Sequence, residues 1–184
     1  MEDQIIEKLT NINQLSNTDF ENCTFKNCQF SQSDLSNFSF TDCTFIECDL
    51  SNTLVTNTAF KTVEFEQSKL IGVHFEDCNT FLLDLTFTDC TLNISSFYKL
   101  NLKKARFTNC SLHEVDFTET NLTEASFTNC DFIAAMFENT NLEKADFRTS
   151  SNYAIRPDMN RVKGAHFSAN GLAGLLYHHK IKIS

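Results

Sequence analysis

The sequence predicts an all-β solenoid with four sides, a single elongated domain built from repeats of five residues. Three observations support this prediction. Apolar residues recur at every fifth position over most of the chain, small residues lie two places before most of them, and every fourth apolar position is phenylalanine. Because a period of five fits neither an α-helix nor a flat strand, a fixed repeat of this kind indicates a solenoid.

The ladder of apolar residues is long and has one interruption. It runs in steps of five from Leu15 to Phe75, slips by two residues, and continues in steps of five from Leu82 to Phe147. Its 27 positions are all apolar and hold 16 of the 19 phenylalanines. If each unit forms one side of a coil, the ladder residue and the residue two places before it point inward. The remaining residues, mostly Asp, Glu, Asn, Ser, Thr and Lys, then face water.

A longer period lies within the first. Every fourth ladder position is phenylalanine, which predicts four units per coil and a square cross-section. The predicted core columns are Phe25, Phe45, Phe65, Phe87, Phe107, Phe127 and Phe147, and Cys28, Cys48, Ser68, Cys90, Cys110 and Cys130. About seven coils at the strand spacing of roughly 4.8 Å would form a rod cored by stacked phenyl rings.

Asparagine is frequent two places after a ladder residue. Asparagine tolerates the left-handed conformation that some tight turns need, so these positions predict the corners of the coil. They are Asn22, Asn27, Asn37, Asn52, Asn57, Asn109, Asn129 and Asn139.

The repeat units resemble a known family. CTFKN, CQFSQ, CDLSN, ARFTN, CSLHE, ASFTN, CDFIA and ADFRT are similar to the A(D/N)LXX unit of pentapeptide-repeat proteins, and the similarity spans residues 15–147. The resemblance implies a right-handed quadrilateral β-helix, and the hand follows from the family, not from the spacing. It also implies a bacterial, cytosolic protein.

Length and composition fit one domain without a membrane anchor. At 184 residues and 41% hydrophobic, the chain can bury one continuous core. It has no apolar stretch long enough to span a membrane, and residues 1–14 (MEDQIIEKLTNINQ) lack the basic start and apolar stretch of a signal peptide. We therefore expect a cytoplasmic protein with no membrane partner.

The eight cysteines lie at the repeat position of the small inward residues. This placement predicts buried, reduced thiols that act as small hydrophobic side chains. The Cα separation of stacked cysteines would also suit a disulfide, so distance alone leaves that alternative open. A zinc site would need four converging ligands, whereas these cysteines form a line. A nucleophilic cysteine would need exposure and an adjacent base.

Other catalytic patterns are missing from the sequence. His74 and His113 lie at outward positions that are typical of solvated residues. Paired carboxylates, a phosphate-binding loop and a triad arrangement are not apparent. The sequence therefore predicts a protein that is not an enzyme and has no catalytic residue, metal ion or cofactor.

Charge is distributed unevenly along the chain. Residues 1–147 have a net charge of −14 and residues 148–184 a net charge of +5, which together give −9. An acidic surface keeps a repetitive β-protein soluble and discourages end-to-end stacking. Alternatively, a narrow anionic rod acts as a DNA mimic, because it resembles a DNA duplex to a protein that binds DNA. Direct binding to nucleic acid is disfavoured because the rod lacks a basic stripe.

Both ends of the solenoid need a cap, since each exposes unpaired backbone and apolar surface. Residues 1–14 contain Ile5, Ile6, Leu9 and Ile12 at helix-like spacing, which predicts an N-terminal cap. The two-residue slip at residues 76–81 leaves open whether Cys78 or Thr80 points inward and whether Phe81 or Leu82 is the ladder residue.

The C-terminal region, residues 148–184, departs from the ladder. Residues 148–164 are predicted to form an ordered loop, and Ala165–Phe167 one more repeat step. Ser168 is a candidate N-cap for a short helix, and a strand is predicted at residues 180–183 (KIKI). Gly171 and Gly174 weaken the helix prediction.

This region carries a second resemblance. NYAIRPDMNRVKGAHFS and GLLYHHKIKI are similar to the C-terminal end of Qnr-type quinolone-resistance and immunity proteins. The resemblance implies protection of DNA gyrase and topoisomerase IV by an acidic rod, and a homodimer formed through the C-terminal tail. The dimer candidates are Leu172, Leu175, Leu176 and Tyr177, although these residues would equally cap the last coil of a monomer.

Three functional hypotheses follow. The chain is a binder of type II topoisomerase that mimics DNA, a rigid scaffold for another protein partner, or, on the cysteines alone, an enzyme or metal protein. The family members that protect gyrase project sizeable loops from the coils, whereas this chain has only the short slip.

Overall fold

The computed structural model describes residues 1–182, which wind into a parallel β-solenoid. The ten short strands are β1 (Ile5–Glu7), β2 (Asp19–Glu21), β3 (Thr24–Lys26), β4 (Ser39–Thr41), β5 (Thr44–Ile46), β6 (Ala59–Lys61), β7 (Val63–Glu66), β8 (Leu85–Thr88), β9 (Arg106–Thr108) and β10 (Ser126–Thr128). The α-helix in the described range is α1 (Leu172–Leu176), and 3-10 turns lie at Ile12–Gln14, Phe75–Asp77, Ala169–Gly171 and Tyr177–His179.

The strands stack coil upon coil. β1, β3, β5, β7, β8, β9 and β10 form one parallel sheet, and β2, β4 and β6 form a second. Ladder residue pairs with ladder residue, as Phe25 does with Phe45. The other two sides are joined by single bridges between residues four repeat units apart, such as Asp34 with Leu54. This spacing confirms four five-residue units per coil and the predicted solenoid fold.

We name the four faces by what they carry. The phenylalanine face is the side formed by the seven-stranded sheet. The next side along the chain is the cysteine face, followed by the acidic face and a fourth face that holds the three-stranded sheet. The cysteine face is centred on Phe30, Leu50, Leu70, Leu92, Leu112 and Phe132, and the acidic face on Leu35, Val55, Phe75, Phe97, Phe117 and Phe137.

A stack of phenyl rings runs through the core. Successive rings of the predicted column lie 4.7 to 5.4 Å apart between centroids and within 22° of parallel. The seven phenylalanines are at most 1% exposed. The stack continues past Phe147 to Phe167, whose ring centroid is 5.4 Å away. Such burial and ring contact make this column a principal source of stability.

The small inward residues of the cysteine face link the coils through hydrogen bonds. The Cys28 amide donates to Cys48 Sγ at 3.4 Å, and the Cys48 amide donates to Ser68 Oγ at 3.0 Å. Cys48 Sγ in turn donates to the Phe25 carbonyl at 3.3 Å. Buried polar groups need partners, so these positions favour a side chain that both donates and accepts, as Cys and Ser do.

The corners adopt left-handed backbone almost without glycine. All eight asparagines predicted as corners have positive φ, between 50° and 67°. Many other corners hold Glu, Lys or Asp, and two hold the β-branched residues Thr62 and Ile94, with φ of 54° for each. A β-branched residue in this conformation is strained.

The N-terminal segment forms strand β1 in place of the predicted helix-like cap. Ile6 pairs with Phe25, and the corner residues Asp3 and Lys8 have φ of 54° and 56°. Solenoid geometry therefore extends almost to the first residue. The sequence pattern concealed this because Ile6 lies one place short of a full coil from Phe25.

The slip is a two-residue insertion in the fourth face. Ala59 bridges to Asn79, which lies four repeat units later in the chain. Val63 pairs with Leu85, which lies four repeat units and two further residues later. Cys78 is the inward residue, at 6% exposure, whereas Phe81 and Leu82 are 68% and 64% exposed. The prediction that the ladder resumes at Leu82 is therefore wrong, because Leu82 lies at a corner with φ of 58°. Leu83 packs part of its side chain against the core instead.

The solenoid also extends beyond Phe147. Ser151, Arg161 and His166 bridge to Asp131, Asn141 and Asp146, each the equivalent residue of the preceding coil. Residues 148–164, predicted as an ordered loop, thus form most of a further coil that buries Tyr153 and Ile155.

The short C-terminal helix is confirmed. Ser168 Oγ accepts a hydrogen bond from the Gly171 amide, and α1 follows. Of the predicted strand at residues 180–183, Ile181 and Lys182 have no regular secondary structure, and Ile183 lies outside the described residues.

Candidate interaction surface

The acidic face concentrates the negative charge of the rod. Six carboxylate side chains lie on this face and its following corner, against one lysine, Lys99. They are Asp34, Glu76, Asp77, Asp116, Glu119 and Glu138. Five coil spacings separate Asp34 from Glu138, so the charges extend over about 24 Å. The solenoid backbone holds these carboxylates on one side of the rod, where Glu119 pairs with Lys99 at 3.6 Å and Glu76 lies 3.0 Å from His74.

Local hydrogen bonds orient two of these carboxylates. The Ser36 amide donates to Asp34 Oδ1 at 2.9 Å, and the Thr118 amide donates to Asp116 Oδ1 at 2.8 Å. Hydrogen bonding from Ser36 holds the pKa of Asp34 below its usual value, so this carboxyl group is ionised at neutral pH. Because one oxygen of each carboxylate bonds to its own turn, the other oxygen remains available to a partner.

The cysteines are buried thiols whose pKa values are shifted in opposite directions. Hydrogen bonding to Cys48 lowers the pKa of Cys28 to about 7, and hydrogen bonding to Cys110 lowers the pKa of Cys130, but neither thiol reaches solvent. All eight are unpaired and buried. Burial raises the pKa of Cys43 to about 11 and the pKa values of Cys78 and Cys90 to about 12. Hydrogen bonding to Cys130 and burial raise the pKa of Cys110 as well. A reactive cysteine needs a low pKa and access to solvent, and these four have neither.

Neither predicted surface histidine belongs to a triad in the structure. His74 Nδ1 lies 3.0 Å from Glu76 Oε1, and His113 Nε2 lies 2.9 Å from Asp131 Oδ2. Within residues 1–182, no group of three or more His, Cys, Asp or Glu side chains is arranged to hold a metal ion. Nor does this part of the chain contain a helix long and apolar enough to cross a bilayer.

Helix α1 and the 3-10 turn after it expose three of the four predicted dimer residues. Leu172, Leu176 and Tyr177 are 50%, 38% and 69% exposed. Leu175 packs against the solenoid core. The helix lies on the last coil because Gly171 and Gly174 leave space for Tyr153, and a Cβ at either glycine would collide with that residue.

The sequence pattern did not single out a second group of exposed apolar residues. Between strand β2 and helix α1, six large hydrophobic side chains are exposed. They are Leu54, Phe81, Leu82, Ile94, Ile133 and Met136. Phe81 and Leu82 lie on the insertion, and the other four lie near the corner between the cysteine face and the acidic face. An apolar residue at an outward position was the available signal, but the fivefold ladder does not show which outward positions are neighbours.

Comparison with known proteins identifies the repeat. A family model described as a pentapeptide repeat region matches residues 18–85 and 81–153. No curated protein matches the chain in sequence.

The fold is shared with a solved structure. A trypsin-treated form of QnrB1, described as a plasmid-mediated fluoroquinolone resistance protein, matches with a TM-score of 0.53 and 20% identity over 100% of both chains. HetL, a pentapeptide repeat protein involved in heterocyst differentiation regulation from the cyanobacterium Nostoc sp. strain PCC 7120, matches with a TM-score of 0.44 and 10% identity, over 83% of this chain and 90% of HetL.

Proposed function

This chain belongs to the pentapeptide repeat family, and we propose that it is a non-catalytic interaction protein whose acidic face binds the DNA-binding surface of a type II topoisomerase, DNA gyrase or topoisomerase IV. In this proposal the rod occupies a basic surface in place of a duplex. It acts as a protector of the enzyme and has no chemistry of its own.

The row of carboxylates on the acidic face carries the proposal. Basic clefts that bind DNA attract a row of anionic groups through the same electrostatic field. A stacked solenoid holds the row straight, and hydrogen bonds fix the carboxylates of Asp34 and Asp116. Preorganised charges lose little conformational freedom on binding.

The choice of a topoisomerase rests on two likenesses. The C-terminal sequence resembles topoisomerase-protecting proteins of the Qnr type, and the fold is shared with a structure described as a fluoroquinolone resistance protein. At 20% identity the second likeness concerns the fold alone.

A homodimer through the C-terminal tail completes the proposal. Leu172, Leu176 and Tyr177 place apolar surface at the end of the rod, where a second copy would cover it. Pairing two rods end to end around a twofold axis would double the length of the acidic surface.

A supercoiling assay tests the target. The purified protein is added to gyrase with and without a fluoroquinolone, and we expect it to change supercoiling or to reduce inhibition by the drug. The triple variant Asp116→Asn, Glu119→Gln and Glu138→Gln should lose this effect. A control that removes three charges elsewhere, Glu47→Gln, Glu64→Gln and Glu66→Gln, should retain it. An unchanged assay at micromolar excess of the native protein would contradict the proposal.

The mass in solution tests the dimer. Truncation after Ser168 removes α1 and should convert a dimer to a monomer, as measured by light scattering. An unchanged mass would refute pairing through the tail.

A second candidate function is a rigid scaffold for another protein. The outward-facing Phe81 and Leu82 favour it, because a surface that only imitated DNA would have no need for exposed apolar side chains. Affinity capture from native lysate, followed by identification of the bound protein, separates this candidate from the first.

A further inference from the structure

Four exposed apolar side chains lie on alternate coils along one edge of the rod, which we call the apolar edge: Leu54, Ile94, Ile133 and Met136. We propose that this edge is the docking site for a basic amphipathic helix of the partner protein. The inference rests on the proposed function only in that both use the acidic face. The inference adds a helix of the partner as a binding element, which DNA mimicry alone does not require.

The residues of the apolar edge lie on neighbouring columns of the solenoid. Leu54 and Met136 project from the acidic face, and Ile133 projects from the cysteine face. Ile94 lies at the corner between the two faces. The four side chains are between 46% and 59% exposed. Four coil spacings from Leu54 to Ile133 give the edge a length of about 19 Å.

Ile94 indicates that the edge is maintained at a cost to stability. Its φ of 54° is unfavourable for a β-branched residue, and the residue is 52% exposed, so burial offsets the strain only in part. Equivalent corners elsewhere hold asparagine, which tolerates this conformation, as Asn52 does at φ of 54°. A strained, exposed isoleucine where asparagine would suffice is expected at a site of contact.

Charge complementarity selects a basic partner. The acidic face lies along one side of the edge, with Asp116 between Ser96 and Met136 in the same column. Glu114 occupies the corner column between Ile94 and Ala134. Over the length of the acidic face, a DNA duplex would carry about 14 charges, so the six carboxylates offer less than half of that charge. Apolar contacts along the edge would add affinity that the charges alone do not provide.

The backbone geometry favours a helix over an added strand. Amides at this corner donate to the next coil, as the Ile94 amide does to the His113 carbonyl at 2.8 Å and the Glu114 amide to the Ile133 carbonyl at 2.8 Å. Because these groups are paired within the solenoid, the corner offers no open edge for strand addition. An α-helix about 13 residues long spans the same length of about 19 Å, and its turns repeat at nearly the spacing of the coils.

The apolar edge continues into a cleft at the C-terminal end of the rod. This cleft has a volume of about 660 Å³ and is lined by Ile133, Ala134, Tyr153, Ala173 and Tyr177, among others. A helix lying on the edge would therefore meet more apolar surface beyond Ile133, and one end of the helix would enter the cleft.

Binding of designed peptides to the full chain tests the proposal. The probe is a labelled synthetic helix of about 16 residues, with leucines at intervals of three and four and lysine or arginine at most other places. The comparison peptide has the same composition in scrambled order and hence no apolar face. We expect the amphipathic peptide to bind at least about tenfold more tightly in fluorescence anisotropy.

Ile94→Asn is the decisive variant. Relief of strain should raise its urea midpoint above that of the native protein, while the preference for the amphipathic peptide should disappear. The control Phe81→Ser removes an equally exposed apolar side chain from the insertion and should keep the preference. Equal affinity of the native protein for both peptides, or an unchanged preference in Ile94→Asn, would overturn the proposal.

The outcome is separable from that of the supercoiling assay. If gyrase is unaffected but the peptide preference depends on Ile94, the apolar edge is supported and only the target is wrong. If gyrase responds and Ile94→Asn acts like the native protein in both assays, the acidic face is supported and the apolar edge is refuted.

Discussion

Gly174 passes so close to the backbone carbonyl of Tyr153 that a Cβ at this position would collide with the carbonyl oxygen and with the tyrosine ring. Tyr153 is 4% exposed, and its ring contacts both Phe147 and Phe167. The short helix α1 is therefore joined to the phenylalanine stack through one tyrosine.

This contact predicts that Gly174→Ala displaces α1. Overpacking of this kind costs about 1–3 kcal/mol, and the local contacts of a helix of five residues are few. Limited proteolysis should cleave the C-terminal segment of the variant faster than that of the native protein. The control Ala173→Ser changes a neighbouring exposed residue and should leave the cleavage rate unchanged. Equal rates for Gly174→Ala and the native protein would show that the helix does not depend on this contact.

Truncation of a ring in the phenylalanine stack should destabilise the whole rod. Phe107 is fully buried between Phe87 and Phe127, and Phe107→Ala should cost about 3–5 kcal/mol of unfolding free energy, measured in urea. Phe81→Ser, at an exposed position, should change it by less than about 0.5 kcal/mol. Similar losses in both variants would argue against the stack as the principal core.

The cysteine face predicts that serine, but not alanine, can replace Cys48. Cys48→Ala leaves the buried Cys28 amide without an acceptor and should cost about 1–3 kcal/mol. Cys48→Ser keeps a donor and an acceptor, as Ser68 does one coil further on, and should cost less. Urea midpoints of the two variants provide the comparison, and a lower midpoint for the serine variant would contradict the hydrogen-bonding role.

The thiols of Cys78 and Cys90 are expected to be inert in the folded protein. Burial raises the pKa values of Cys78 and Cys90 to about 12, so almost none of either thiol is ionised at pH 8, where a free cysteine is substantially thiolate. Iodoacetamide at pH 8 should leave these two residues unmodified in the native protein and modify them in guanidinium chloride. Mass spectrometry identifies the sites, and rapid modification of either residue before unfolding would be inconsistent with the burial described.

Acid should weaken the C-terminal end of the solenoid through Asp146. Hydrogen bonds from Arg148, at 2.7 to 3.1 Å, hold the pKa of Asp146 below its usual value. A carboxyl group whose pKa is lower in the folded state than in the unfolded state stabilises the protein at pH values above its unfolded-state pKa. This stabilisation is lost as the pH falls through the folded-state pKa. The loss should begin below about pH 4.

Thermal unfolding of Asp146→Asn tests this dependence. The variant should be less stable than the native protein at pH 7, and the difference should shrink on acidification. Glu64→Gln removes an exposed carboxylate from the phenylalanine face and serves as a control for loss of one surface charge. A difference between native protein and Asp146→Asn that stays constant from pH 7 to pH 3 would exclude the proposed linkage.

The interior of the rod could be predicted from sequence because each inward position repeats at a fixed interval. The column from Phe25 to Phe147 and the corner at Asn52 follow directly from that interval. Prediction failed where the interval changes. Ile6 lies one place out of phase with Phe25, and Tyr153 lies one place beyond a full coil from Phe132, so neither joins the ladder by counting.

The apolar edge could not be predicted for a different reason. A fivefold interval separates inward from outward positions but does not show that Ile94 and Ile133 lie near the same corner. The two-residue insertion before Leu85 shifts both residues against Leu54, so counting in steps of five does not align the three. The pairing of coils in the structure supplied that register.

Within residues 1–182, each coil bonds to the coils immediately before and after it, and one complete turn of the chain separates equivalent positions. Duplication or deletion of one such turn would lengthen or shorten the molecule by a single fixed step while leaving the chemistry of both termini intact. Evolution could therefore change the length of the rod in discrete steps, because an added coil would bond to its neighbours in the same way as the existing coils do.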